Sequence, residues 1–294
     1  MSRLDQARPA VRPALKARLM LSGPAGAGKT WTALTVAEVF AEGGDVLLID
    51  TERESSLTYA ERFTFTHLPW LPPFDPRHLA STITAAGHDY EVVVIDSASH
   101  FWRGDGGVLS IADGKFTGWK DARPAHEDFV ASVLGCGAHV ILCARSKMAH
   151  VQEQGSNGRF EVRKLGMEAQ QDADLEYEIN ISAELTIDHA LTVAKSRAET
   201  VPVGRQFTAG HADEFATVYA DWLAGGEPPA APADVDALVT RMNALRADTR
   251  AEAKTRFVER FGRPEHLRAS RLDEAAEMVT EFEALHSDPE GEPA

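Results

Sequence analysis

Gly23-Pro24-Ala25-Gly26-Ala27-Gly28-Lys29-Thr30 is a complete G-x-x-x-x-G-K-T run, and its flanks decide how it is read. Before it, Arg18-Leu19-Met20-Leu21-Ser22 is short and apolar enough for a buried strand. After it, Trp31, Leu34, Thr35 and Glu38 begin a helical spacing. Strand, glycine loop and helix in that order form a cradle for phosphate groups. Glycines at 23, 26 and 28 let successive N–H groups turn inward, and the helix N-terminus adds its positive end. Residues 23–30 are therefore the expected cofactor-binding loop, with Lys29 on the outer phosphates of a nucleoside triphosphate and the Thr30 hydroxyl on magnesium. ATP and Mg2+ are the cofactors this implies.

Moving outward, Val46-Leu47-Leu48-Ile49-Asp50, Val92-Val93-Val94-Ile95-Asp96 and His139-Val140-Ile141-Leu142-Cys143-Ala144 are continuous apolar runs. Strands covered by helices on both faces read this way, whereas strands with one wet face alternate. The segments 77–87 and 124–134 have helical composition, which gives an α/β fold with a mainly parallel sheet. Residues 178–187 and 190–195 read as two further strands joined at Asp188-His189, an antiparallel hairpin added to that sheet. Residues 1–17 form an N-terminal arm and 18–224 the core. Gly225 to Ala233 is a Gly/Pro-rich linker. Residues 234–286 follow as a small three-helix domain, in which Thr249 and Glu252 are expected to form a capping box, and 287–294 as an acidic tail.

Composition narrows the classes. The 294 residues are 44% hydrophobic, enough for a full core, and no apolar run approaches the roughly 20 residues that span a bilayer. Two cysteines, Cys136 and Cys143, have no partners at ligand spacing and read as buried thiols, consistent with a cytoplasmic protein that meets no membrane. The net charge of −15 argues against nucleic-acid binding over the whole surface, so any such site is local.

Asp96 ends an apolar strand, the place from which a carboxylate steadies the magnesium shell beside Thr30. No glutamate follows it, so a group that deprotonates water must come from elsewhere. Asp50-Thr51-Glu52 supplies a candidate in Glu52, at the carboxyl edge of the sheet.

These residues resemble the RecA-type recombinase core. More narrowly, Leu48-Ile49-Asp50-Thr51-Glu52, Ile95-Asp96-Ser97-Ala98-Ser99-His100-Phe101-Trp102, Ala144-Arg145-Ser146-Lys147, Leu175-Glu176-Tyr177-Glu178 and Ala194-Lys195-Ser196-Arg197 resemble a group of phage-encoded RecA-like ATPases of single-strand annealing and recombination. The resemblance spans roughly residues 18 to 210 and excludes the C-terminal helices. It implies a RecA-like P-loop NTPase core that hydrolyses ATP, with Glu52 as catalytic base, working in a host cytoplasm. At Arg145, where that family carries an amide, the arginine either senses the γ-phosphate or binds DNA. Lys195 and Arg197 match the positions whose cations reach a neighbouring subunit's nucleotide, which implies a ring or filament of identical subunits.

Two loops are candidates for single-stranded DNA. The first, residues 103–120, contributes Lys115 and Lys120 beside Phe116 and Trp119, whose rings either stack on bases or pack on the core. The second, residues 146–164, contributes Lys147, Arg159, Arg163 and Lys164. A single-strand-binding protein is a further possible partner. Two rival functions stay open: a nucleotide-gated loader of a replication partner, and a small-molecule kinase on a P-loop core. A run of arginines from Arg241 to Arg271 reads as a solvated helix surface or a weak DNA patch.

Overall fold

A computed structural model describes residues 10, 12–154, 160–172, 175–228, 230–264 and 267–287. It divides into two compact units, Lys16–Trp222 and a smaller one in which Met1–Leu15 joins Leu223–Ala294.

The larger unit begins with β1 (Arg18–Gly23), α1 (Lys29–Ala41), β2 (Val46–Asp50), β3 (Thr66–Pro69) and α2 (Pro76–Asp89). It continues through β4 (Val92–Asp96), α3 (Ser99–Arg103), α4 (Val108–Ala112), α5 (Trp119–Gly135), β5 (His139–Gln154) and β6 (Phe160–Ala169). The last elements are α6 (Leu175–Glu178), β7 (Ile181–Leu185), β8 (Leu191–Ser196), β9 (Gln206–Phe207) and α7 (Ala212–Ala224). In the sheet the order is β3-β2-β4-β5-β1-β7-β8-β9. The strands from β3 to β7 run parallel, while β8 and β9 are antiparallel additions. This is the mixed α/β fold expected from the apolar runs, and every residue of β1, β2 and β4 is buried.

Two faces explain why those runs do not alternate. Met20, Leu47, Ile49, Val93, Ile95, Val140 and Leu142 form one core with Leu79 and Ile83 of α2 and Phe129 and Val133 of α5. Residues of opposite parity, such as Leu19, Leu21, Leu48, Val94 and Ile141, are buried as deeply on the other face, where α1 packs across β1, β2, β4 and β5. Arg18 sits at the edge of this core, 6% exposed. Its guanidinium donates to the carbonyls of Ala17 and Ala138 at 2.8 Å, Leu134 at 3.1 Å and Cys136 at 2.5 Å. It thereby satisfies the orphan carbonyls at the end of α5, and its burial lowers the guanidinium pKa.

Several expectations are corrected. Residues 103–120 are not one loop, since α4 and the first turn of α5 occupy much of it, built around a small core of Val108, Ala112 and Ala122. At Gly118 a Cβ would lie 2.1 Å from the Ala112 carbonyl oxygen, so the chain closes tightly there. Residues 146–154 and 160–164 belong to two long antiparallel strands, with Lys147 opposite Glu168 and Gln154 opposite Phe160. The hairpin of β7 and β8 exists but is shorter than read, because Glu178 ends α6.

The smaller unit holds α8 (Pro232–Ala244), α9 (Ala247–Phe261) and α10 (Leu272–Ser287) around Leu238, Met242, Phe257, Met278 and Phe282. Thr249 lies inside α9, whose N-cap is Arg246, so the capping box does not form. The Gly/Pro segment is no free tether: Pro13 bridges Glu227, and buried Ala230 donates its N–H to the Leu267 carbonyl at 2.7 Å. Several arginines of this unit are engaged internally. Arg241 pairs with Glu283, Arg260 and Arg271 pair with Glu274, and Arg250 donates to the Leu245 carbonyl.

Candidate functional site

The loop between β1 and α1 lies at the carboxyl edge of the sheet, and its glycines are there for different reasons. Gly26 and Gly28 have φ of +80° and +84°, the left-handed region that other residues avoid. A Cβ at Gly23 would stand 2.8 Å from the Leu185 carbonyl oxygen, so there the requirement is close approach to β7. Lys29 Nζ folds over the loop and donates to the carbonyls of Gly23 at 3.0 Å and Pro24 at 2.9 Å. Pro24, Ala25 and Ala27 complete the turn, held by a hydrogen bond from Ala27 N–H to the Pro24 carbonyl at 3.3 Å.

Thr30, in the first turn of α1, donates its hydroxyl to Asp96 Oδ2 at 2.5 Å. One strand, β5, separates β1 from β4, which brings the end of β4 beside the start of α1. Asp96 is 3% exposed. Burial pushes its carboxyl up to about 6, opposed by the Thr30 hydrogen bond and reinforced by Glu52. A buried carboxylate and a hydroxyl side by side, with a lysine close by, match the oxygen donors that magnesium takes. Among the described residues no group of three or more His, Cys, Asp or Glu side chains is arranged to hold a metal.

Glu52 is placed by a buried carboxylate. Asp50, 1% exposed, accepts from Glu52 N–H at 2.7 Å, Ser56 N–H at 3.0 Å and Ser56 Oγ at 2.5 Å. Thr51 ties this turn to β4: its N–H donates to the Asp96 carbonyl at 2.7 Å, and its hydroxyl oxygen accepts from Ser97 N–H at 2.7 Å. His100 Nδ1 lies 2.6 Å from the same hydroxyl, and burial lowers its pKa. Arg145, leaving the sheet on β5, forks onto Glu52, with Nε donating to Oε1 at 2.8 Å and Nη2 to Oε2. Its own N–H is held by Ser99 Oγ at 2.9 Å, and its carbonyl accepts from Gln170 N–H at 2.6 Å at the root of the long hairpin.

Lys29, Thr30, Asp96, Glu52 and Arg145 thus line one cleft of about 1260 Å³. Lys195 and Arg197 do not line it. Lys195 Nζ donates to the Ile179 carbonyl and, at 3.4 Å, to that of Tyr177, while Arg197 Nη2 donates to the Tyr177 carbonyl. Both cations are bound within the chain at the end of α6. Burial, with Arg197 beside it, lowers the Lys195 pKa. Lys115 is exposed and pairs with Asp113, Lys120 is exposed in the first turn of α5, and Lys147 is exposed at the base of the hairpin. Arg163 and Lys164 stand opposite Val151 and His150 in β6; Arg159 lies outside the described residues. Phe116 is 95% exposed, whereas Trp119 packs against Trp102 with ring centroids 6.2 Å apart.

The sequence reading missed part of the cleft. Trp31, Tyr59, Gln170, His189 and the segment 208–213 also line it. Of these, Trp31 lies beside the motif; the others arrive from turns and helix ends farther along the chain, and no local pattern marks them.

The AAA_24 family model, described as an AAA domain, matches residues 15–208. The chain belongs to this family. The matched region covers most of the larger unit and contains Lys29, Thr30, Glu52, Asp96 and Arg145, and its phosphate loop makes it a P-loop ATPase-type domain, for which nucleotide binding is the family property. Comparison with curated proteins gave no match. Among solved structures, the domain is similar to a KaiC-like protein, PH0186, from the hyperthermophilic archaeon Pyrococcus horikoshii OT3. The identity is 15% over 67% of this chain and 84% of that one, with a TM-score of 0.37. No helix among the described residues is long and apolar enough to cross a membrane.

Proposed function

We propose that this AAA domain is a RecA-like ATPase that binds Mg-ATP in the cleft, assembles head to tail on single-stranded DNA and promotes annealing or strand pairing. The observation that carries the reading is the shared anchorage of Arg145. Its side chain holds Glu52, while its carbonyl holds Gln170 at the root of the long hairpin. One residue therefore touches both the hydrolytic corner and the arm that bears Lys147, Arg163 and Lys164.

The chain's own groups have distinct roles. Lys29 leaves the Gly23 and Pro24 carbonyls for the outer phosphates. Thr30 and Asp96 would hold magnesium, whose chemistry when bound would be to offset charge on the phosphate oxygens. Glu52, once released by Arg145, orients and deprotonates the attacking water. Lys195 and Arg197 leave the carbonyls of Tyr177 and Ile179 to reach the nucleotide of the adjacent copy. Phage origin and a host cytoplasm belong to the same reading, as does cooperation with a single-strand-binding protein.

ATP turnover measured with and without single-stranded DNA tests it. Stimulation by DNA, with DNA retained at low salt, is the expected result; turnover indifferent to DNA together with no retention overturns it. Mixing Arg197→Ala with Lys29→Ala subunits should restore part of the activity that each lacks alone, because every contact in which the Arg197→Ala subunit supplies the loop and the Lys29→Ala subunit the cations is intact. The internal pairing of the arginines on α8 to α10 favours a second reading, in which that unit grips a protein and the domain is a nucleotide-gated loader. Turnover stimulated by a replication protein and not by DNA would select it.

A further inference from the structure

We propose that His189, at the tip of the β7–β8 turn, is a nucleoside-binding residue that closes the side of the cleft opposite Glu52. This deepens the triphosphate reading above and rests on it. In the sheet, β1 has β5, β4 and β2 on one side and β7, β8 and β9 on the other. Asp96, Glu52 and Arg145 all come from the first side, so the end of the triphosphate that reacts lies there. The phosphates fill the turn around the start of α1, and the nucleoside must leave toward β7 and β8.

On that side the structure offers a formed wall. Leu185, Leu191, Thr208, Gly210 and Asp213 line the cleft with His189, a mixture of apolar surface and a few polar groups suited to a ribose and base. The cleft's volume of about 1260 Å³ exceeds the roughly 300–1000 Å³ of most small-ligand sites, leaving room for the whole nucleotide beyond its phosphates. Leu185 meets the phosphate loop at Gly23 through its backbone carbonyl, and His189 meets it at Gly28 through its ring. A Cβ at Gly28 would lie 3.0 Å from its Nδ1, with Cε1 and Cγ at 3.8 and 3.9 Å. The Nδ1 edge of the ring therefore faces the loop and the Nε2 edge faces away from it.

The ring is held in place from its backbone. His189 adopts φ of +60°, a conformation that glycine or asparagine takes more readily. Thr186 fixes the turn: its N–H donates to the Ala190 carbonyl at 3.0 Å, its carbonyl accepts from His189 N–H at 2.9 Å, and its hydroxyl accepts from Ala190 N–H at 3.3 Å. A side chain set over the loop by a pinned turn is ordered before the ligand arrives, so little entropy is lost on contact.

The test compares ligands with and without a nucleoside. His189→Asn keeps a residue that tolerates the left-handed backbone, and His189→Ala removes the side chain's polar atoms altogether. Dissociation constants are measured for Mg-ATP, ADP and inorganic tripolyphosphate. Both variants should bind ATP and ADP about tenfold more weakly, the effect of one lost hydrogen bond, with tripolyphosphate unchanged. Unchanged ATP affinity, or an equal loss for ATP and tripolyphosphate that reports a distorted phosphate loop, overturns the assignment while leaving the triphosphate reading intact. Wild-type protein that binds neither ATP nor tripolyphosphate overturns both.

Discussion

Arg145 and Glu52 meet fork to fork, with Nε to Oε1 at 2.8 Å and Nη2 to Oε2 forming a bidentate pair. A carboxylate engaged in this way has both oxygens occupied by the guanidinium. In the proposed mechanism the pair opens before Glu52 meets the attacking water. Glu52→Gln is expected to retain ATP binding and to lower turnover by about 100-fold or more, the usual contribution of a positioned base. A steady-state rate equal to wild type would remove Glu52 from the chemistry.

In the proposed mechanism the same pair would let Arg145 report the terminal phosphate. If its guanidinium moves from Glu52 to that group, Arg145→Ala should weaken ATP by about tenfold while leaving ADP near the wild-type value. Calorimetric titration with each nucleotide measures the ratio. Equal losses for ATP and ADP would speak for a structural role at the hairpin root.

The Lys29 ammonium donates to the loop carbonyls of Gly23 and Pro24. Lys29→Ala should therefore abolish measurable ATP binding while leaving the circular dichroism spectrum unchanged. Loss of the native spectrum would mean that the lysine holds the loop itself together.

Arg18 serves four carbonyls from a buried position. Arg18→Met fills similar space and leaves those acceptors without a donor, so unfolding in urea should show a loss of about 3 kcal/mol. A loss below about 1 kcal/mol would indicate that water takes over the acceptors.

His139 gives the fold a pH dependence. Its Nδ1 accepts from Ala17 N–H at 3.0 Å, its ring lies against Phe40, and the cations Lys16 and Arg18 stand nearby. Burial, then Lys16 and Arg18, hold its pKa down at about 3. The unfolded chain, with a histidine pKa near 6.5, binds the proton first, so the stability due to neutral His139 is present above about pH 6.5 and is lost toward pH 3. Asp96 acts in the opposite sense, because its pKa is raised in the folded state to about 6. Comparing wild type with His139→Gln, both without nucleotide or magnesium, cancels the Asp96 contribution. The stability advantage of wild type should shrink by about 1.4 kcal/mol per pH unit between pH 6 and 4; an advantage constant with pH would refute the buried neutral state.

The parts of this domain visible in its sequence are those that physical chemistry writes locally. The phosphate loop needs glycines at 26 and 28 because the backbone there is left-handed, and β2 and β4 need unbroken apolar runs because both faces of the sheet are covered. Thr30 and Asp96 meet because strand ends in a parallel sheet share an edge. What escaped was set by tertiary partners. A carboxylate at Glu52 does not reveal that Arg145, 93 positions away, will pair with it. Residues 146–164 resembled a loop because β6 finds its partner only across the hairpin. The turn at Asp188-His189 was legible as a turn, but its approach to Gly28 depends on β7 lying beside β1.

One strand belongs to two assemblies. The inner half of β5 is locked between β4 and β1, and its outer half, past Arg145, pairs only with β6. The nine residues from Ser146 to Gln154 extend roughly 30 Å at strand spacing. By simple geometry, any tilt of about 10° at Arg145 would carry the far end of the paired region through roughly 5 Å. A register shift between Ala149 and His150 interrupts the arm, and lengthening or shortening the arm would rescale such a displacement without touching the pocket.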